Sequence, residues 1–203
     1  MKLDDRCKKV RAHLLASAET KQQVAERCLD PILAAADLIA ETFRRGGKLM
    51  LCGNGGSAAD CQHMAAELVN RLTKDLERPG LPAIALTTDT SFLTAYANDI
   101  EYGGVFARQV QTLGKPGDDT LIGISTSGNS LNVIRAFEVA AAAKIHTIVL
   151  TGNSGRLSEI AEITIAVPSA NTQYLQEAHL AIEHILCELV EHQLFAAEEK
   201  CND

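Results

Sequence analysis

The sequence lacks any concentration of positive charge. Its 203 residues include 19 Lys and Arg against 26 Asp and Glu, and the formal net charge at pH 7 is -7. Basic residues never run longer than pairs such as Lys8-Lys9. A groove that follows a nucleic-acid backbone needs clustered basic side chains, so we expect no direct binding to DNA or RNA.

Long apolar runs are also missing. No stretch approaches the roughly 18 apolar residues of a membrane-spanning helix. The charged start Met1-Lys2-Leu3-Asp4-Asp5-Arg6 is not followed by the apolar segment of a secretion signal. We therefore expect a cytoplasmic protein with no membrane partner.

The cysteines lack the C-x-x-C spacing of zinc ribbons and redox motifs. Most of them stand among apolar neighbours in helical or strand patterns, which is typical of reduced, buried thiols in a cytosolic protein. The six are Cys7, Cys28, Cys52, Cys61, Cys187 and Cys201.

Two glycine-rich turns, at 53–57 and 123–130, each follow an apolar run and precede a helical pattern. Neither fits the P-loop or the dinucleotide fingerprint, because no Lys follows the glycines and the G-x-G-x-x-G spacing is absent. Free N–H groups and helix N-termini attract anions, and hydroxyls here replace the missing Lys, which favours a sugar phosphate. The alternative is that such turns merely join strands to helices. The hydroxyl donors are Ser57, Ser125, Thr126, Ser127 and Ser130.

Short apolar runs alternate with helical patterns and predict a doubly wound, five-stranded parallel α/β sheet flanked by helices. We predict strands at 48–52, 83–87, 120–125, 147–151 and 163–167, and helices at 58–72, 91–113, 131–144, 156–161 and 171–195. Two N-terminal helices precede them. We expect one domain, with N-terminal helices at 1–45, an α/β core at 46–195 and a tail at 196–203.

His63 and Glu67 are four residues apart and share one helical face, opposite an apolar stripe. They could hold part of a metal site, or Glu67 could simply pair with Arg71. On the C-terminal helix, His184 faces away from the apolar stripe and could be solvent-exposed, whereas His179 borders the stripe and is expected to pack.

Asn98 and Asp99 fall in a loop-like break of the pattern. The carboxylate there could accept from a hydroxyl or cap a helix.

Taken together, six motifs make the chain resemble the phosphoheptose isomerases, enzymes built on the sugar isomerase (SIS) domain. The motifs are residues 52–57, 62–67, 86–89, 97–99, 123–130 and 175–184. The resemblance implies conversion of D-sedoheptulose 7-phosphate to D-glycero-D-manno-heptose 7-phosphate, the first step toward lipopolysaccharide heptose. It also implies a homotetramer with sites between chains.

The resemblance further implies the roles of individual residues. Glu67 and His184 would be the acid/base catalysts, and one Zn²⁺ per subunit would be bound by His63, Glu67, Gln176 and His184. The substrate would be bound by Asn54, Gly55, Gly56, Ser57, Glu67, Arg71, Asn98, Asp99, Ser125, Thr126, Ser127, Ser130 and Gln176. Some members carry an Asp shortly before the Gln, where this chain has Asn171, Thr172 and Gln173.

Two other kinds of SIS-domain protein remain as alternatives. Some relatives bind the bacterial replication initiator without catalysis, and in them the Glu and final His positions are replaced, whereas Glu67 and His184 are both present here. A sugar-phosphate sensor would need a fused DNA-binding unit, for which the chain has no room. The enzyme is therefore the favoured function.

Overall fold

The computed structural model describes residues 3–195, so the predicted tail at 196–203 lies outside the described residues. Two helices come first: α1 (Leu3–Arg27) and α2 (Leu29–Arg44). The second has Pro31 in its first turn, where the missing N–H would have no helical partner anyway.

Five parallel strands then form one sheet in the order β2-β1-β3-β4-β5. They are β1 (Leu49–Gly53), β2 (Ala83–Ala85), β3 (Thr120–Ser125), β4 (His146–Thr151) and β5 (Ile163–Ala166). The helices between and after them are α3 (Gly56–Val69), α4 (Thr90–Asp99), α5 (Val105–Leu113), α6 (Leu131–Ala142), α7 (Arg156–Ile160) and α8 (Thr172–Phe195). The predicted fold class, with its N-terminal helices and long C-terminal helix, is confirmed.

Side chains on the central strands alternate between two cores, one on each face of the sheet. Leu49 and Leu51 of β1 pack in a core with residues of α2, α3 and α8, whereas Met50 and Cys52 pack in a core with residues of α5 and α6. Because successive residues of a strand point to opposite faces, a strand covered on both sides is apolar throughout. All five residues of β1 are accordingly buried.

The predicted helix at 91–113 is wrong as a single element. Helix α4 ends at Asp99, a 3₁₀ turn covers Tyr102–Gly104, and α5 starts at Val105. Adjacent glycines at 103 and 104 disfavour a continuous helix. Asn98 and Asp99 were predicted in a loop, but they are the last two residues of α4.

The expected burial of the thiols is confirmed for Cys28, Cys52, Cys61 and Cys187, which are buried and unpaired, whereas Cys7 is exposed. Cys201 lies outside the described residues. Burial raises the pKa of the Cys61 thiol well above its usual value, so this group is an inert apolar side chain. Within residues 3–195, no helix combines the length and the apolar character needed to cross a bilayer.

Candidate active site

The two glycine-rich turns lie side by side where the winding of the sheet reverses. Strands β1 and β3 are neighbours, paired from Leu49↔Thr120 to Gly53↔Ile124, and the chain leaves β1 toward β2 but leaves β3 toward β4. The crevice beyond the carboxyl ends of two such strands is where open α/β sheets bind ligands.

The first turn brings helix α8 against the start of helix α3. Gly55 has a φ of +57°, which favours glycine, and Gly56 begins α3. A Cβ atom at Gly56 would lie only 2.2 Å from Nε2 of Gln176. The missing side chain thus leaves room for the Gln176 amide at the helix N-terminus.

His63 and Glu67 of α3 meet His184 of α8. The Nε2 atoms of His63 and His184 are 2.8 Å apart, with the rings at 71° to each other, and Glu67 Oε1 is 3.8 Å from Nε2 of His63. Within the described residues Glu67 forms no ion pair with the alternative partner Arg71, which lies beyond the end of α3 at Val69. Spacing along one helix therefore placed the pair correctly, and the fold adds the second histidine.

The short distance between the two Nε2 atoms places the rings within hydrogen-bond reach. One imidazole can donate an N–H to the lone pair of the other. A nitrogen lone pair, a hydrogen-bonded N–H and a nearby carboxylate can together accept and return protons.

The donor chemistry of this group fits zinc, which binds imidazole nitrogen and carboxylate oxygen. Two nitrogens on a tetrahedral zinc are about 3.3 Å apart, so the histidines need to separate by about half an ångström. Among residues 3–195, no three His, Cys, Asp or Glu side chains already converge as a metal shell. A metal would also require Glu67 Oε1, now 3.8 Å from His63 Nε2, to approach that atom by about half an ångström.

The second turn carries hydroxyl groups. Ser125, the last residue of β3, has its Oγ 3.0 Å from Oγ of Ser130, and Ser127 Oγ accepts a hydrogen bond from the Asn129 amide. Thr126 and Ser127 line a cavity of about 300 Å³ that also borders Asn153 and Ser169. Neutral donors thus line a cavity beyond the carboxyl ends of β3 and β4.

A pair of amides links the two turns. Asn54 of the first turn and Asn132 of α6 exchange hydrogen bonds of 2.9 and 2.8 Å, and the hydroxyl of Tyr102 donates to Asn54 Oδ1 at 3.0 Å. Asn132 is buried. No sequence pattern identified Asn132 or Tyr102, because both reach Asn54 only through the tertiary fold.

Three other residues implied for the site, Arg71, Asn98 and Asp99, have exposed side chains. Asn98 donates to Asp99 Oδ1, and both side chains are exposed. Arg71 is exposed and forms no ion pair within the described part of the chain. Asn171 Oδ1 accepts from the Gln173 amide at 2.9 Å, so it caps the start of α8.

Two buried carboxyl groups next to the histidines were missed at the sequence level. Both carboxyl oxygens of Glu183 on α8 are buried and have no hydrogen-bond partner among the described residues. The same is true of one carboxyl oxygen, Oδ2, of Asp60 on α3. Burial, assisted by the charge of Asp60, raises the pKa of Glu183 to about 9. Burial raises the pKa of Asp60 to about 6, although His63 opposes the shift. Glu183 is therefore uncharged at neutral pH.

His179 is packed, as its position beside the apolar stripe predicted. The ring is fully buried, and its Nε2 lies 3.3 Å from the carbonyl oxygen of Thr151 at the end of β4. Burial lowers the pKa of His179 to about 4, so the ring is neutral at physiological pH.

Comparison with known proteins agrees with this architecture. The SIS domain family matches residues 13–152. A phosphoheptose isomerase of Roseiflexus sp. is 54% identical over 181 residues, covering 89% of this chain and 90% of the relative.

Solved structures of two phosphoheptose isomerases are also similar. The structure from Neisseria gonorrhoeae has a TM-score of 0.85 at 40% identity and covers 94% of this chain and 99% of its own. The structure from Francisella tularensis has a TM-score of 0.87 at 37% identity and covers 92% of this chain and 98% of its own. The chain therefore belongs to the SIS-domain family, in the branch of the phosphoheptose isomerases.

Proposed function

We propose that this protein isomerises D-sedoheptulose 7-phosphate to D-glycero-D-manno-heptose 7-phosphate. One observation carries the proposal: Glu67 and His63 of α3 meet His184 of α8 at the reversal point of the sheet. The names of the similar proteins, which are phosphoheptose isomerases, support the same substrate.

Hydroxyl and amide groups would bind the substrate. Ser125, Ser127 and Ser130 donate neutral hydrogen bonds to the phosphate, and the amides of Asn54 and Gln176 bind hydroxyls of the sugar chain. The remaining residues that the family resemblance implies for binding would complete the pocket: Gly55, Gly56, Ser57, Glu67, Arg71, Asn98, Asp99 and Thr126.

The reaction needs one carbon-bound proton to move. A base removes a proton from C1 of the ketose, the electron pair forms the C1–C2 double bond, and the carbonyl oxygen at C2 is protonated. The proton then returns to C2 while the C1 hydroxyl loses its proton and becomes the aldehyde. Glu67 would act on the carbon-bound proton and His184 on the oxygen-bound one.

We infer that a zinc ion completes the site. His63, Glu67, Gln176 and His184 would bind it, and when bound it would polarise the substrate oxygens as a Lewis acid. We expect about one zinc per subunit in protein purified without chelator. Elemental analysis that finds only trace transition metal would contradict this inference.

We also infer a homotetramer. Helix α1 exposes a row of large apolar side chains, and a groove of about 370 Å³ between α1, α2 and α8 is lined almost entirely by apolar residues. Exposed apolar area of this extent marks an interface. The row comprises Leu3, Val10, Leu14 and Leu15. A monomer mass by light scattering at micromolar concentration would contradict the tetramer.

We also propose a cytoplasmic location. The buried cysteines are unpaired, which suits a reducing compartment.

Binding of the replication initiator without catalysis is not favoured, because Glu67 and His184 are both present and lie together. The experiment that separates the two is an assay on D-sedoheptulose 7-phosphate, with and without chelator. We expect turnover that a chelator lowers. No turnover by folded, metal-replete protein would contradict the proposed function.

A further inference from the structure

A buried ion pair joins the chain after α3 to helix α8. The side chains of Arg78 and Glu191 are 0% and 5% exposed, and Glu191 Oε1 accepts hydrogen bonds from Arg78 Nη2 at 2.6 Å and from Nε at 2.8 Å. The same oxygen also accepts from the Leu72 amide at 3.1 Å. Two charges are thus withdrawn from water in a segment whose neighbours are mostly exposed.

The other donors of Arg78 bind the end of α3. Nη2 donates to the carbonyl oxygen of Glu67 and Nη1 to that of Leu68, both at 2.9 Å. The last carbonyls of a helix have no partner inside the helix, so an external donor fixes their position. Arg78 therefore binds the backbone of Glu67 directly.

Glu191 lies on the helix that carries His184. Seven residues separate them, which is almost two full turns, so both are on the same side of α8. The pair connects the backbone of Glu67 to that side of α8. Movement of either helix would change the distance between the two acid/base groups.

We propose that Arg78 and Glu191 are positioning residues for the isomerase reaction, holding the Glu67 end of α3 at a fixed distance from His184 on α8. This inference rests on the proposed roles of Glu67 and His184. Stability alone does not require the pair, because apolar side chains of similar volume usually replace a buried ion pair without loss. The rigid, planar guanidinium of Arg78 binds the carboxylate of Glu191 and two carbonyls of α3 in one fixed geometry.

The test compares Arg78→Met, Glu191→Met and the double variant by melting temperature, kcat and KM on D-sedoheptulose 7-phosphate. Each single change leaves a buried charge unpaired and should lower the melting temperature. The double variant should regain most of that loss, but its kcat should remain at least about tenfold low with KM nearly unchanged. Recovery of kcat together with the melting temperature would overturn the inference.

If the double variant does not fold, Arg78→Lys tests the inference instead. Lysine keeps the charge opposite Glu191 but lacks the fork that reaches the carbonyls of Glu67 and Leu68. We expect a folded protein with a lowered kcat. A wild-type kcat in Arg78→Lys would overturn the inference.

Two controls separate this inference from others. Lys48→Met breaks an ion pair with the buried Asp119 at the amino ends of β1 and β3, away from the site. This change should lower the melting temperature and leave kcat unchanged. Glu67→Gln tests the proposed function itself. An active Glu67→Gln would reject the acid/base assignment, whereas an inactive Glu67→Gln beside a fully active double variant would reject only the positioning role.

Discussion

The two glycine-rich turns each join a strand to a helix but have different surroundings. The turn at 53–57 leads into α3, which carries His63 and Glu67. Gln176 of α8 packs against Gly56, the first residue of α3. Thr126 and Ser127 of the turn at 123–130 line a cavity, and this turn has no titratable side chain. Titratable groups therefore stand on one side of the crevice and neutral donors on the other.

This division suggests different energetic roles. A proton-transfer group acts only as the bonds change, so its loss lowers kcat. A neutral donor to the phosphate binds substrate and transition state alike, so its loss raises KM. Mutations in the two turns should therefore affect different kinetic constants.

The largest loss of kcat is expected for changes on α3, the helix after the first turn, and at its partner His184. Glu67→Gln keeps the shape of the side chain but cannot accept a proton, so kcat should fall by about 10² to 10⁴. His184→Gln should do the same, with the melting temperature and zinc content measured alongside. His192→Gln, an exposed histidine on the same helix, is the matched control and should be unaffected. A Glu67→Gln variant that keeps more than about a tenth of wild-type kcat would show that Glu67 is not the base.

A smaller loss is expected for Gly56→Ala. The new Cβ would lie 2.2 Å from Gln176 Nε2, so the flexible Gln176 side chain must move out of the site. We expect kcat to fall about tenfold with little change in melting temperature, consistent with a misplaced polar group.

The control for Gly56→Ala is the same change in a Gln176→Ala background. There the methyl group meets no amide, so it should cause no further loss of kcat. An additional loss would mean that Gly56 acts through the backbone rather than through Gln176.

At the second turn we expect a change in KM alone. Ser125→Ala removes one neutral donor, worth about 0.5 to 1.5 kcal/mol, so KM should rise roughly 2- to 13-fold while kcat stays near wild type. Steady-state kinetics over a wide substrate range measure both constants. A fall in kcat equal to that of Glu67→Gln would remove the distinction between the two turns.

The last prediction concerns stability rather than kinetics, through its pH dependence near the second turn. The pKa of His179 is about 4 in the folded protein and near 6.5 when unfolded, so the unfolded chain binds more protons between these values. Stability should therefore fall as the pH drops from about 6.5 to 4, by up to roughly 3 kcal/mol from this group. His179→Gln should flatten that part of a plot of melting temperature against pH. An unchanged slope would contradict the buried neutral ring.

The sequence predicted the local features and missed those that depend on distant neighbours. Alternating apolar runs located all five strands, and helical spacing placed His63 beside Glu67. Helical spacing also put Arg71 within reach of Glu67, but α3 ends at Val69. The break between α4 and α5 was not used to divide the predicted helix at 91–113, although Gly103 and Gly104 disfavour a continuous helix there.

The buried acids show why the rest could not be predicted. Glu183 has the same local pattern as any polar residue on a helix, yet α3 packs over it and removes it from water. Glu191 is buried in the same way, because the chain after α3 brings Arg78 onto it. Burial of a charged group is set by elements far away in sequence, so composition and spacing carry no information about it.

The central claim is that Glu67 on α3 and His184 on α8 act as one proton-transfer unit. Its most direct test is kcat of the Glu67→Gln, His184→Gln double variant beside both single variants, on D-sedoheptulose 7-phosphate. Residues that act as a unit are non-additive, so the double variant should be no more than about threefold slower than the slower single variant. A double variant whose loss is the product of the two single losses would contradict the claim.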